Sequence, residues 1–368
     1  MSKEDLPAGM SRRKFIMTTG TVVGMSLVGL SGFNQKARKD QAMAFRIKKV
    51  DSDLEREPLI RPFGFKGGYM TRIWQTAALM ESESGARGIG LCTQNVLWSD
   101  AKVFAAHSEA GGNALMYALT ERALQIAKGM TFKTPVDLLE QILDEVYEHG
   151  KQITGNPNLR KTFALNALVG FDNAAWLLYA KENGIRSFDE MIPAAYRPAL
   201  SHHHKQVASI PLMAYAIPIS EIEEAAKQGY FFMKIKIGQP GTQEEMLAKD
   251  KARLTAIHKA IGHMETRHTK DGKLPYYFDA NGRYEKKETL LRLLDHARQI
   301  GAFDQIAVIE EPFPEELEVD VGDIGLRIAA DESAHTDEDA AKRIQMGYQA
   351  IALKAIAKTL SMTIKIAQ

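Results

Sequence analysis

Charged residues recur at the ends of short apolar runs in the second half of the sequence. Lys234 and Lys236 lie two residues apart in FFMKIKIG, and Lys354 lies in YQAIALKAI. The three intervening runs, LPYYFDANG, IAVIEEPF and GLRIAADES, end respectively in Asp279, Glu310 and Asp331. Three carboxylates from consecutive strands, without His or Cys among them, suit a hard divalent cation. The pattern predicts a Mg²⁺ site, with Mn²⁺ as a substitute.

The two neighbouring lysines have a chemical use beside such a site. Successive side chains of a strand point to opposite faces, so if Ile235 and Ile237 pack outward, Lys234 and Lys236 point inward. In an eight-stranded ring the second and sixth strands lie opposite each other, which places Lys236 and Lys354 on two faces of a bound carboxylate. We expect Lys236 to act as a general base on the α-carbon of that carboxylate.

The elements that carry these residues alternate between strand and helix. From residue 205 onward, six apolar runs, the first being IPLMAYAIP, are separated by amphipathic segments such as TQEEMLAKDKARLTAIHKAIG and KETLLRLLDHARQIG. This alternation is typical of βα units with a parallel sheet. The charged residues lie at the carboxyl ends of the runs, where parallel barrels carry their active sites. Residues 205–368 are therefore predicted to form a partial (β/α) barrel.

Residues 45–200 have a different pattern. FRIKKVDSDL and TRIWQTAALMESESGARGIGL are rich in β-branched, aromatic and aliphatic residues, which favours strands. A helical block follows, in which Thr134 is the expected N-cap, Asp137 completes a capping box and Gly150 is expected to end the helix. Strands followed by helices predict a small α+β domain.

Residues 1–44 resemble a targeting segment. Arg12 and Arg13 precede an apolar run from Phe15 to Leu30, and SRRKF resembles the twin-arginine export signal. The alternative is a plain membrane tether. We expect an exported, periplasmic protein that meets the export machinery through this segment, with or without cleavage.

Composition excludes several classes of protein. The 368 residues are 45% hydrophobic and 25% charged with a formal net charge of +1, and no basic tract alternates with aromatic residues. Nucleic acid is therefore not an expected partner. A single cysteine excludes an internal disulfide framework and every metal site built from several cysteines.

Taken together, the motifs resemble the enolase superfamily, in the mandelate racemase/muconate lactonizing enzyme family and its muconate lactonizing enzyme-like subgroup. The resemblance covers about 120 residues: the K-x-K strand, the D-x-N strand with Asn281, the E-E-P strand, the D-E-S strand with Glu332 and the later lysine strand. It implies a modified TIM-type (β/α) barrel, incomplete with about six strands, preceded by an α+β capping domain.

The resemblance also implies a reaction, in which the proton α to a carboxylate is removed to give an enediolate. Lys236 is then the base on one face, Lys354 the acid or base on the other, Lys234 a charge stabiliser and Asn281 the residue that orients a lysine. Racemisation or epimerisation, cycloisomerisation and elimination all remain open, with a small carboxylate such as a dipeptide or amino-acid derivative as substrate. Family habit implies a homo-oligomer.

One departure keeps a second class open. Residues 210–368 accommodate six strands, whereas a complete barrel usually needs about 250 residues, so the last two strands of the family are expected to be missing. The alternative to a metal-dependent isomerase is therefore a truncated or degenerate relative that binds metal at most.

Overall fold

Residues 42–66 and 68–368 are described by the structure, a computed structural model, and they begin with an antiparallel sheet. Its strands are β1 (Phe45–Phe65), β2 (Gly68–Ser82), β3 (Arg87–Gln94) and β4 (Thr131–Phe132). The spatial order is β3-β2-β1-β4, and β1 and β2 form a long hairpin. The strands predicted from residue 45 onward are confirmed.

Helices cover this sheet. They are α1 (Val96–Ser99), α2 (Ala101–Ala127), α3 (Pro135–Thr154), α4 (Lys161–Ala167), α5 (Val169–Glu182) and α6 (Phe188–Met191). Helix α5 lies directly on β3, because a Cβ added to Gly90 would lie only 2.0 Å from the carbonyl oxygen of Gly170. A side chain at this position of β3 would therefore push the helix off the sheet.

The start of α3 was correctly predicted, but its end was not. Thr134 accepts a hydrogen bond from the Asp137 amide, and Asp137 accepts one from the Thr134 amide, so the capping box is present. The helix continues through Gly150 and ends at Gly155, whose φ is +62°. Gly150 is buried, and a Cβ added to it would lie 2.9 Å from a methyl carbon of Leu159. It permits close packing rather than ending the helix.

The second part of the chain is a parallel sheet of six strands, as the sequence predicted. The strands are β5 (Leu212–Met213), β6 (Met233–Lys236), β7 (Tyr276–Asp279), β8 (Ile306–Glu310), β9 (Ile328–Ala330) and β10 (Ala350–Ile351). They follow one another in space in chain order, so that β5 and β10 are the two edge strands. The helices are α7 (Ile219–Lys227), α8 (Gln243–Ile261), α9 (Lys287–Gln299), α10 (Asp337–Gln345), α11 (Ala355–Lys358) and α12 (Leu360–Ala367). Two 3₁₀ turns, Ala194–Tyr196 and Phe303–Gln305, complete the elements.

The outward face of β6 packs on helices, as the alternation of its residues predicted. Ile235 and Ile237 are buried in one apolar core with Ile222 of α7 and Met246 of α8. Lys234 and Lys236, which alternate with these isoleucines along the chain, consequently point to the other face of the sheet.

The segment after β10 returns to the N-terminal part of the chain. It forms two short helices, α11 and α12, separated by Thr359. Asp172 of α5 accepts hydrogen bonds from the amide (2.9 Å) and hydroxyl (2.5 Å) of Ser361 at the start of α12. Trp176 donates its indole N–H to the same hydroxyl. The two sheets are thereby joined through buried polar contacts.

The targeting segment predicted for residues 1–44 lies outside the described residues except for its last three positions. The boundaries proposed at residues 44, 200 and 205 stay predictions. Among the helices that the structure describes, none has both the length and the apolar character needed to cross a membrane.

Candidate active site

The register of the parallel sheet aligns the predicted site residues. Lys236 pairs with Asp279 across β6 and β7, and Asp279 pairs with Glu310 across β7 and β8. Asp331 directly follows β9, the next strand. The three carboxylates are fully buried, with 0% exposure each. Asp279 and Glu310 lie at one level because each is the last residue of its strand, whereas Asp331 lies two residues beyond Ala329, the partner of Glu310 on β9.

Both lysines of β6 point at these carboxylates. The Lys234 amine lies 2.5 Å from Glu310 Oε2 and 2.9 Å from Asp279 Oδ2. The Lys236 amine lies 2.6 Å from Asp279 Oδ2 and 2.5 Å from Asn281 Oδ1. The structure therefore places both lysines on the inner face, as predicted, and brings Asn281 to the one expected to act as base.

Burial and charge act in opposite directions on these acids. Burial alone would raise the pKa of Asp279, but Lys236 and Lys234 together lower it to about 2. For Glu310 burial dominates and the charges of Asp279 and Asp331 add to it, which raises its pKa to about 7. Two carboxylates of the same site thus differ widely in their affinity for a proton.

Lys354 meets Asp331 on the other side of the acidic group. Its amine forms an ion pair with Asp331 Oδ2, and its side chain keeps 26% exposure. A second lysine, Lys358, is fully buried, donates to the Asp331 carbonyl oxygen and lies 3.3 Å from Asp331 Oδ1. Although burial opposes ionisation of Asp331, these two lysines hold its pKa well below the usual range.

Glu332 connects the barrel to the β1–β2 hairpin. Its Oε1 accepts a hydrogen bond from Asn281 Nδ2 (2.8 Å) and lies 3.2 Å from the amine of Lys66. Lys66 also donates to the Trp98 carbonyl oxygen at 2.7 Å. Asn281 and Glu332, both assigned to the site from the sequence, are therefore in contact, and they reach the N-terminal part of the chain.

Aromatic rings lie beside each of the three predicted lysines. The Lys236 amine is 5.8 Å from the Phe65 ring centre, the Lys354 amine 4.7 Å from the Trp98 ring, and the Lys234 amine 5.1 Å from the Tyr277 ring. Phe65 and Trp98 belong to the N-terminal part. Rings at these positions attract the ammonium form and keep water away from it.

Sequence reasoning missed Lys66, Lys358 and Trp98. Lys358 had a usable signal, because it lies four residues after Lys354 in KAIAK. Lys66 and Trp98 had none, because their partners are far along the chain. All eight predicted residues, by contrast, lie in this region. Six of them form one network of side-chain contacts. Lys354 forms an ion pair with Asp331, which precedes Glu332 of that network in the chain.

The backbone of the site is strained at several residues with side chains. Four of them have positive φ: Lys66 (49°), Asn281 (45°), Glu311 (41°) and Thr359 (71°). This region is costly for residues other than glycine and asparagine, and for a β-branched residue such as Thr359 most of all. Strain of this kind gathers where surrounding contacts fix a functional geometry.

The donor set fits a divalent cation. In the described ranges no three acidic, His or Cys side chains form a ready-made ligand group, and lysine amines lie on the carboxylate oxygens instead. Even so, among the described residues the buried Glu310 Oε1 has no hydrogen-bond donor, and Asp331 Oδ1 has no hydrogen bond, only the Lys358 amine at 3.3 Å. Buried acceptors are rarely left so, and oxygen-only ligands suit Mg²⁺.

One family model matches the second part of the chain. Residues 219–368 match the family described as "Enolase C-terminal domain-like". No curated protein matches the sequence.

Among solved structures, the dipeptide epimerase from Enterococcus faecalis V583, complexed with Mg and L-Leu-L-Tyr, has a TM-score of 0.58 at 19% identity over 87% of this chain and 78% of that one. L-Talarate dehydratase from Polaromonas sp. JS666, complexed with Mg and L-glucarate, has a TM-score of 0.60 at 19% identity over 88% and 78%. Muconate lactonizing enzyme from "Mucobacterium Smegmatis", complexed with muconolactone, has 0.55 at 16% over 87% and 76%. Residues 219–368 are thus similar to the enolase C-terminal domain-like family, and the chain has the fold of these dipeptide epimerase, dehydratase and muconate lactonizing enzyme structures.

Proposed function

We propose that the protein is a metal-dependent enzyme that removes the proton α to a carboxylate and returns a proton to the resulting enediolate. The observation that carries the proposal is the arrangement of lysines around three buried carboxylates, with Lys234 and Lys236 on β6 and Lys354 after β10. Amines on both sides of an acidic group are what proton removal from one face and delivery to the other require.

Asp279, Glu310 and Asp331 are the proposed ligands of Mg²⁺, with Mn²⁺ as a substitute. The cation, when bound, supplies positive charge for the substrate's carboxylate oxygens, on which negative charge develops as the α-proton leaves. The use of acidic residues alone, each deeply buried, supports this choice of metal.

The residues of the chain divide the proton chemistry between them. Lys236, held at 2.5 Å by Asn281 Oδ1, is the proposed base on one face of the substrate. Lys354 exchanges the proton on the opposite face, and Lys234 stabilises negative charge. Phe65 and Trp98 limit the access of water to the two exchanging amines.

Return of the proton from the second face gives racemisation or epimerisation, and rearrangement or loss of a neighbouring group gives cycloisomerisation or elimination. Small carboxylates, among them dipeptides and amino-acid derivatives, are the proposed substrates; the folds of a dipeptide epimerase and a muconate lactonizing enzyme among the similar structures support this class. Export through the twin-arginine segment, a periplasmic location and a homo-oligomeric state are further proposals that the sequence alone supports.

The test is exchange of the α-proton in D₂O with Mg²⁺, followed by NMR across a panel of dipeptides, N-acyl amino acids and hydroxy acids. Lys236→Ala should lower exchange from one enantiomer by about 10²- to 10⁴-fold, the range of general-base effects. Lys354→Ala should do the same for the other enantiomer, and Lys259→Ala, on the exposed face of α8, should change neither.

Each negative outcome has a meaning. Equal loss from both enantiomers in Lys236→Ala would argue against the assignment of one lysine to each face. Absence of exchange with every carboxylate, from wild-type protein shown to be folded by circular dichroism, would leave the non-catalytic relative as the better description.

A further inference from the structure

Lys66 is a buried cation on the β1–β2 hairpin, far along the chain from the lysines of the sheet. Its side chain is 5% exposed and that of its ion-pair partner Glu332 is 2% exposed. Burial of an ion pair costs free energy, and removal of only one partner is strongly destabilising, because the other charge is left buried and unpaired. Although burial opposes ionisation of Glu332, Lys66 is the main cause of its lowered pKa.

Glu332 uses one oxygen for two contacts. Its Oε1 lies 3.2 Å from the Lys66 amine and accepts the Asn281 Nδ2 hydrogen bond at 2.8 Å. A carboxylate can only accept, so it selects the NH₂ end of the Asn281 amide. The carbonyl end of that amide must then face the opposite way.

That opposite direction is where the proposed base lies. Asn281 Oδ1 accepts from the Lys236 amine at 2.5 Å. A reversed amide would present its NH₂ group to an amine that can only donate when protonated, so the contact would be lost. A series of contacts thus runs from Lys66 through Glu332 and Asn281 to Lys236, and the donor and acceptor of each hydrogen bond in it are defined.

The backbone is constrained at two members of this series of contacts. Lys66 (φ +49°) and Asn281 (φ +45°) both occupy the left-handed region. Lys66 is further held by its hydrogen bond to the Trp98 carbonyl oxygen at 2.7 Å. Strained conformations persist where several contacts determine them together.

We infer that Lys66 is a positioning residue for Lys236 and acts on it through Glu332 and Asn281. The inference rests on the proposed function of Lys236 as a base and deepens it, because it makes the N-terminal hairpin part of the geometry of proton transfer. Lys66 itself needs no contact with the substrate in this role.

The first measurement is independent of catalysis. It is a double-mutant cycle in urea unfolding between Lys66→Met, which keeps the apolar stem, and Asn281→Gly, which suits a positive φ. Because both residues contact Glu332, the effect of Asn281→Gly on the unfolding equilibrium constant should change about tenfold when Lys66→Met is present. The control is Lys102→Met. Lys102 likewise forms an ion pair with the second part of the chain, with Glu316 at 3.8 Å, but its side chain is exposed and lies outside this network. Its combination with Asn281→Gly should be additive within about twofold.

The second measurement concerns Lys236 itself, by acetylation of its amine followed by peptide mass spectrometry. Loss of the oriented Asn281 acceptor should raise the rate about tenfold in Lys66→Met relative to wild type. Lys66→Arg, which keeps the charge, should restore most of the wild-type rate. In the exchange assay, Lys66→Met should lower exchange at the face assigned to Lys236 about tenfold or more, and exchange at the Lys354 face less than threefold.

The outcomes separate this inference from the proposed function. Absence of coupling in the cycle, an unchanged acetylation rate, or equal loss of exchange from both faces would each overturn the positioning role. If the wild type exchanges no substrate, the proposed function fails, and the cycle and the acetylation rate alone decide the position of Lys236. If Lys66→Met does not fold, Glu332→Gln replaces it in both measurements with the same expected changes, because its neutral amide no longer selects one end of Asn281.

Discussion

The buried carboxyl group of Asp172 should make the stability of the native protein depend on pH. Asp172 is 1% exposed, and burial raises its pKa to about 6 in spite of its hydrogen bonds from Ser361. In an unfolded chain the pKa of an aspartate is about 3.9. The perturbation to test is Asp172→Asn, which removes the titrating group and keeps one acceptor oxygen.

The sign follows from proton binding. Between about pH 4 and pH 6 the folded state holds a proton on Asp172 that the unfolded state has already lost, so stability falls as pH rises. About two pKa units correspond to about 3 kcal/mol. This contribution is fully present below about pH 4 and is lost once the pH has passed about 6.

Urea unfolding at pH values from 4 to 7, followed by circular dichroism, measures the effect. At each pH the free energy of unfolding of Asp172→Asn is subtracted from that of the wild type, so that the contributions of the other titrating groups cancel. The difference should fall by about 3 kcal/mol between pH 4 and pH 7. Asp337→Asn is the control, because Asp337, at the start of α10, is 39% exposed and lies 3.5 Å from Lys365 of α12, the helix that also carries Ser361. Its difference should stay within about 0.5 kcal/mol.

A flat difference for Asp172→Asn would refute the reasoning, and so would one that rises with pH. A flat difference would mean that the Ser361 hydrogen bonds stabilise the carboxylate in the folded state as well as water does in the unfolded state, and a rising one that they stabilise it better.

Two further predictions concern buried contacts. Lys358→Met should lower the free energy of unfolding by about 3–5 kcal/mol in the absence of metal, because it leaves the buried Asp331 with one lysine fewer. Addition of Mg²⁺ should reduce this difference in stability from the wild type. A loss of less than about 1 kcal/mol would contradict the importance of the buried Lys358–Asp331 ion pair. Gly90→Ala should cost about 3 kcal/mol or more in thermal unfolding, because its Cβ would lie 2.0 Å from the Gly170 oxygen, whereas Gly155→Ala, with open space but φ +62°, should cost about 1 kcal/mol.

Residues on strands were predictable from local sequence. The period of two in MKIKI placed Lys234 and Lys236 on the inner face, and the parallel arrangement then brought Asp279 and Glu310 to the same level as Lys236. These predictions needed only strand periodicity and the rule that parallel strands end at one edge of a sheet. The capping box at Thr134 was predictable for the same reason, because all of its partners are local.

Contacts between distant parts of the chain were not predictable in this way. Lys66 stands in GFKGG, where a lysine is ordinary, and only the folded chain brings it to Glu332. Gly150 resembles a helix stop, but it is kept small by Leu159, which belongs to another segment. In both cases a tertiary contact decides the role of the residue.

The docking of α11 and α12 on the N-terminal helices also determines the order in which the site can be completed. Asn166 contacts the Ile356 carbonyl oxygen, and Asp172 contacts Ser361, across 190 and 189 residues respectively. At about 5–20 residues per second, the ribosome needs about 10–40 s to synthesise that interval. During this time Trp176 lacks the cover that Ile364 provides in the finished protein, and Asp172 lacks its donors. Emergence of residues 354–364, rather than the folding of any one helix, therefore sets the earliest moment at which Lys354 can join the site.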